Sequence, residues 1–224
     1  MSNLQKLIVV GAGGFGPEIV WAAENMNGRF PTFDILGFCD DSPQKKGWNL
    51  YGYRVFGTPE EIDNKWEVKP GFVCGIGNNL QRAKVVERVM KLGWQPVTVV
   101  DPSVVVAKTV RIGKGTYVGA GSIVSPQAQL GDHVMINHCC SIGHDSRLES
   151  YSQVCPGGRI SGHCVLGTGA MIGSNAVLAV RVKVGANGTV GAGSFALTDV
   201  PDGATVVGNP ARIVLRGPEK RSGS

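Results

Sequence analysis

From Val100 to Phe195 the chain places one branched aliphatic residue at every sixth position, sixteen times without interruption. The series begins Val100, Val106, Ile112 and ends Leu178, Val184, Val190, and every member is Val, Ile or Leu. The fifth residue of each unit (Val104, Thr116, Ala128, Cys140 and Gly158 among them) is never larger than Val. Eight units carry Gly second, as in Ile112-Gly113 and Val190-Gly191. Neither the 3.6-residue period of a helix nor the two-residue period of a strand produces this pattern. A period of six predicts a parallel β-helix in which each unit is a short strand and a corner. The aliphatic side chain then points inward, the small residue fits the corner, and Gly supplies backbone that other residues do not adopt. Three units close one triangular coil, so sixteen make a little over five coils, about 25 Å tall at a strand spacing of ~4.8 Å.

Before the repeat the pattern changes. Residues 5–11 read as a buried strand running into Gly11-Ala-Gly-Gly-Phe-Gly16, and Pro17 suits a first helical position. A second strand spans 35–39 and ends in Asp40-Asp41. A short helix near 59–65, a strand at 72–76, Gly77-Asn78-Asn79, a helix over 81–92 and a strand at 96–100 follow. The prediction is an α/β, Rossmann-like half domain of about four parallel strands over residues 1–98. The β-helix and its C-terminal loop would occupy 99–214, and a disordered polar tail 215–224. A glycine turn between strand and helix, with acids after the next strand, is the pattern of a dinucleotide site. A dinucleotide spans two such halves, however, and only one is present. A single half suits one nucleotide diphosphate over the N–H groups at the helix start.

Composition narrows the partners. The net charge of +5 comes without a dense Lys/Arg run, so no nucleic-acid track is expected, though a mild excess of base favours anionic ligands. No apolar run approaches the ~18 residues of a membrane span, and the N-terminus does not read as a signal peptide. A cytoplasmic protein is expected. The six cysteines show no Cys-x-x-Cys spacing, and Cys140 and Cys164 fill small corner positions, which predicts free structural thiols.

All four histidines fall between 133 and 163. All four are expected to face outward, and His133 and His163 read as solvated surface residues. His144 is followed by Asp145, and a carboxylate neighbour raises imidazole basicity and fixes its orientation, as a general base requires. The pair His133 and His138 is similar to the zinc pair of β-helix carbonic anhydrases. That family takes a third imidazole two coils earlier, where this chain has Val97, so no metal is expected.

Five motifs then fall in order: Val-Val-Gly-Ala-Gly-Gly-Phe-Gly (9–16), Cys-Asp-Asp (39–41), Gly-Ile-Gly-Asn-Asn (75–79), Ile-Gly-His-Asp (142–145) and Val-Gly-Asn-Pro-Ala-Arg (207–212). On these, residues 5–213 resemble the sugar O- and N-acyltransferases of the sialic-acid and bacillosamine type. The resemblance implies a left-handed winding of the β-helix, acetyl-CoA as co-substrate, and a homotrimer with the coenzyme between neighbouring subunits. It implies that Gly14, Phe15 and Gly16 line the phosphates of a nucleotide-linked amino sugar. Asp40 and Asp41 would meet the nucleoside, and Gly77 would close the pocket. It makes His144 the proton acceptor, tuned by Asp145, and gives Gln153, Ser174 and Ala192 to the coenzyme, with the Gly162 N–H as oxyanion donor. Two departures stand out: Gln153 replaces a histidine of the bacillosamine-pathway enzyme, and His138 stands where that enzyme has none. The implied reaction is direct acetyl transfer to the 4-amino group of a nucleotide-linked 4-amino-4,6-dideoxy sugar. The alternatives are O-acetylation of a sugar hydroxyl and a non-catalytic nucleotide-sugar-binding β-helix.

Overall fold

A computed structural model describes residues 4–215. Packing divides it into two compact units: residues up to Ser103 together with Lys114–Ala120, and Val104–Gly113 together with residues from Gly121 on.

The first unit contains β1 (Gln5–Val10), α1 (Phe15–Arg29), β2 (Phe33–Cys39), β3 (Asn49–Leu50), β4 (Tyr53–Arg54), α2 (Pro59–Ile62), β5 (Gly71–Cys74), α3 (Asn79–Lys91) and β6 (Gln95–Pro96). Its main sheet runs β2-β1-β5-β6, all parallel. Leu7 to Val10 are buried in succession, as expected of a parallel strand covered on both faces. In α1 the buried Ile19, Val20, Ala22 and Ala23 form one face. The helix begins at Phe15, with Gly14 as N-cap, two residues before the expected start. Pro17 is therefore the third helical residue, still within the turn whose N–H groups have no helical partner. α2 opens with a capping box between Thr58 and Glu61, and the Asn78 side chain caps α3 by accepting from the Gln81 N–H. The expected strand 96–100 is split. β6 joins the sheet, whereas Val99–Val100 pairs with Tyr117–Val118, one coil further on. That pairing, the Phe15 ring edge-on to Tyr117 at 5.4 Å, and an Asn25 to Asp101 hydrogen bond of 2.7 Å explain why packing does not break at residue 98.

The second unit is a left-handed parallel β-helix of two-residue rungs. Rungs pair with those eighteen residues on, as in Ile123↔Ser141, Ser141↔Arg159, Arg159↔Val177 and Val177↔Phe195. The aliphatic positions from Val118 to Val190 are all buried, but Val100 and Ile112 are half-buried and Val106 is exposed at the first coil. The fifth positions are buried from Thr116 to Ser194. Ser146 is paired internally: its Oγ donates to Ser161 O at 2.9 Å and accepts from the Cys164 N–H at 3.1 Å.

The glycine expectation needs correction. Left-handed backbone recurs at the fourth position of successive units, held by Gln127, His133, Cys139, Asp145, Tyr151 and His163 as well as by Gly121 and Gly157. Gly at the second position answers a different demand. A Cβ on Gly143 would stand 2.4 Å from the carbonyl carbon of Ser161 in the next coil. Coil-to-coil approach, not left-handed φ, selects glycine there.

An antiparallel pair, Thr205–Gly208 with Ala211–Leu215, follows the last coil. Leu215 thus lies in a strand rather than opening a disordered tail, and residues 216–224 of that expected tail lie outside the described residues.

Candidate active site

Two sites take shape, one in each unit. In the first unit a cavity of about 570 Å³ opens where β1, β2 and β5 end. Carboxyl ends of parallel strands are where open α/β sheets bind ligands. Gly14, Phe15, Asp40, Asp41 and Gly77 line it, together with Lys45, Asn78 and Arg88. The N-termini of α1 and α3 meet at this cavity, so two sets of helix-start N–H groups and two cations surround it. Gly16 does not line it. Its Cα packs on β1's end and β2: a Cβ there would lie 2.4 Å from Gly11 O and 3.1 Å from the Phe38 ring.

The two aspartates have different duties. Asp40 Oδ2 accepts from the Ala12 N–H at 2.8 Å and from Lys45 Nζ at 3.0 Å, and Oδ1 accepts from the Ser42 N–H at 2.9 Å. Burial opposes its charge, but these donors outweigh burial and hold its carboxyl below the usual carboxylate range. Asp40 therefore staples the glycine turn to the end of β2. Asp41 is exposed and takes Arg88 at 2.6 Å, while Arg88 Nε also reaches Glu60 at 3.0 Å. Lys45 and Arg88 escaped the sequence reading because a 3-10 turn and the far end of α3 carry them here.

In the second unit His144 Nδ1 lies 2.7 Å from Asp145 Oδ2. With the carboxylate accepting from Nδ1–H, the lone pair of a neutral ring is at Nε2. That atom stands over Gly162, where a Cβ would come within 2.6 Å of it. Among the described residues the Gly162 N–H makes no hydrogen bond within the chain. His163, expected to be a solvated bystander, joins this cluster: its Nε2 is 3.8 Å from Asp145 Oδ2 and its ring is 5.0 Å from that of His144. A sequence signal existed, since His163 is eighteen residues, one coil, after Asp145. His163 is exposed, as expected, whereas His133 is not solvated: it is buried and stacked on Tyr151 at 5.3 Å.

His144, Asp145 and His163 each present a ligand atom, all within 4.8 Å of one another, a donor set that suits a borderline cation such as zinc. His133 and His138 do not share in it. Burial pushes the Cys140 thiol up to about 11, away from nucleophilic use, and Cys39, Cys74, Cys155 and Cys164 shift the same way.

The coenzyme candidates fall apart from His144. Ser174 and Ala192 stack in one slot of successive coils, at the corner after the rungs Met171–Ile172 and Thr189–Val190. His144 and Gly162 sit at the next corner, after Ser141–Ile142 and Arg159–Ile160. Gln153 lies on the face that leads to the Ser174 and Ala192 corner, since its rung Gln153–Val154 pairs with Met171–Ile172, and it is only 6% exposed. Within one chain the coenzyme candidates therefore share one side of the prism, and His144 with Gly162 sits at the next corner.

Residues 6–89 match the family described as the PglD N-terminal domain. The sequence is 30% identical over 216 residues to the GDP-perosamine N-acetyltransferase of Escherichia coli O157:H7, covering 94% of this chain and 96% of that one. A histidine-to-asparagine mutant of perosamine N-acetyltransferase from Caulobacter crescentus, solved in complex with CoA and GDP-perosamine, has a similar structure. Its TM-score is 0.85 at 25% identity, over 95% of this chain and 97% of that one. The acetyltransferase domain of PglB from Neisseria gonorrhoeae FA1090, solved with acetyl coenzyme A, gives 0.85 at 29% identity, over 95% and 100%. No described helix is long and apolar enough to cross a membrane.

Proposed function

Because the chain belongs to the sugar N-acetyltransferases that join a PglD-type N-terminal domain to a left-handed β-helix, we infer that it transfers acetyl from acetyl-CoA to a nucleotide-linked amino sugar. The acceptor proposed is the 4-amino group of a 4-amino-4,6-dideoxy sugar, and the relatives that act on or bind GDP-perosamine make a GDP-linked sugar the first to test. What supports this reading most directly is the His144–Asp145 pair with its Nε2 over Gly162.

In the proposed reaction the amine nitrogen attacks the thioester carbonyl while His144 Nε2 accepts the amine proton. Asp145 stabilises the imidazolium through Nδ1–H. The Gly162 N–H donates to the oxyanion of the tetrahedral intermediate. Collapse breaks the C–S bond, and the proton held on His144 goes to the departing sulfur, releasing amide and thiol. The cavity lined by Gly14, Phe15, Asp41, Gly77, Lys45 and Arg88 would hold the nucleotide diphosphate, with Asp40 keeping the glycine turn in place. The separation of Ser174 and Ala192 from His144 favours a homotrimer, since a neighbouring copy would bring a coenzyme edge to a base edge.

The test is thiol release from acetyl-CoA against GDP- and UDP-linked 4-amino, 3-amino and hydroxyl-only deoxysugars. Release with 4-amino sugars alone is the expected result. Release only with hydroxyl sugars would make the chain an O-acetyltransferase. Nucleotide binding with no release from any sugar would make it a binding protein.

A further inference from the structure

His163 has no role in the reaction above, yet it stands against both members of the proposed base. Its Nε2 faces the same carboxylate oxygen that His144 uses, Asp145 Oδ2, at 3.8 Å against 2.7 Å. Its ring meets that of His144 at 86°, edge to face. The repeat builds this arrangement rigidly. Asp145 and His163 share the fourth position of successive coils with φ of 58° and 59°. The His163 N–H donates to His144 O at 2.8 Å, so the two corners are tied backbone to backbone.

An adjacent imidazole and carboxylate need such help. The His144 and Asp145 side chains are 58% and 42% exposed, and an exposed pair loses rotamer entropy to keep one geometry. Asp145 bounds the His144 ring at Nδ1 and Gly162 bounds it beneath Nε2. The His163 ring, 5.0 Å away and nearly perpendicular, adds a third contact.

We propose that His163 is a positioning residue: its polar ring edge bounds the Asp145 carboxylate and its ring packs against that of His144, without touching the acyl group. At 3.8 Å its Nε2 is too far for a hydrogen bond, so its hold is dipolar and steric. The proposal rests on His144 being the base.

Three variants separate the parts. His163→Ala removes both contacts, His163→Phe keeps a ring without nitrogen, and His163→Gln keeps an N–H that can face Asp145. Loss of positioning lowers kcat of His163→Ala by about tenfold or more, toward the ~10² cost of a 1 Å misplacement, with KM for both substrates within about twofold. Gln restores most of the rate and Phe little. An unchanged kcat, a loss confined to KM, or full recovery by Phe overturns the proposal. Imidazole ¹⁵N NMR of the same proteins, which needs no substrate, reads the His144 tautomer. It is held as Nδ1–H in the wild type and becomes mixed in His163→Ala; an unchanged spectrum also overturns the proposal. A mixed tautomer together with full turnover by His144→Ala would instead sink the base assignment while leaving the positioning intact.

Discussion

The cavity of the first unit and the imidazole cluster of the second are built by opposite means. The cavity gathers loop ends that are far apart in sequence: the turn after β1, Asp40 to Lys45 after β2, Gly77 after β5, and Arg88 from the far end of α3. Its shape depends on cross-links such as Asp40 to Ala12 and Lys45, and Arg88 to Asp41. The cluster uses one slot pattern, repeated. Asp145 above His163, and His144 above Gly162, follow from an eighteen-residue coil whose register never slips. A pocket of loops can be weakened gradually at many points. A column in a solenoid fails at single positions, because each residue has a neighbour of fixed identity one coil away.

The largest effect expected is at the proposed base. His144→Ala should lower turnover by about 10²–10⁴-fold, with the melting temperature and nucleotide affinity held. Turnover above a tenth of the wild-type value would remove His144 from that role. Next comes Gly162→Ala. Its backbone is not left-handed, so the substitution is free of φ strain, and the three atoms nearest its Cβ all belong to the His144 ring. A loss of about 10²-fold in kcat with unchanged stability would confirm that the glycine exists for the ring; an unaltered rate would mean the ring moves aside without consequence.

The smallest effect belongs to the cavity. Asp40→Asn should weaken nucleotide binding several-fold and cost about 1–3 kcal/mol of stability, leaving kcat near wild type. Its pH dependence has a definite sign. A carboxyl whose pKa is lower folded than unfolded adds stability above the unfolded value, ~3.9 for Asp. That contribution disappears as the pH falls through the lower, folded value. Urea midpoints between pH 6 and 2.5 should therefore decline more steeply for the wild type than for Asp40→Asn. Parallel curves would show that Asp40 is not held ionised by the turn.

This contrast also explains what could be read from the residues alone. The sixteen-fold aliphatic series determined the β-helix, its coil length and which residues would stack, because in a solenoid sequence distance converts directly into spatial distance. The strand-glycine-helix pattern and Asp40-Asp41 likewise determined the half Rossmann unit and the mouth of its cavity. Only the tertiary structure decided that Gly16 serves packing while Lys45 and Arg88 line the cavity, since no period links a helix end to a distant turn. It also decided that His133 is buried against Tyr151 while His163, in the equivalent position of another corner, stands beside His144. Slot position alone says that a side chain leaves the backbone outward; what it meets there depends on the neighbours that the folded corner brings to it.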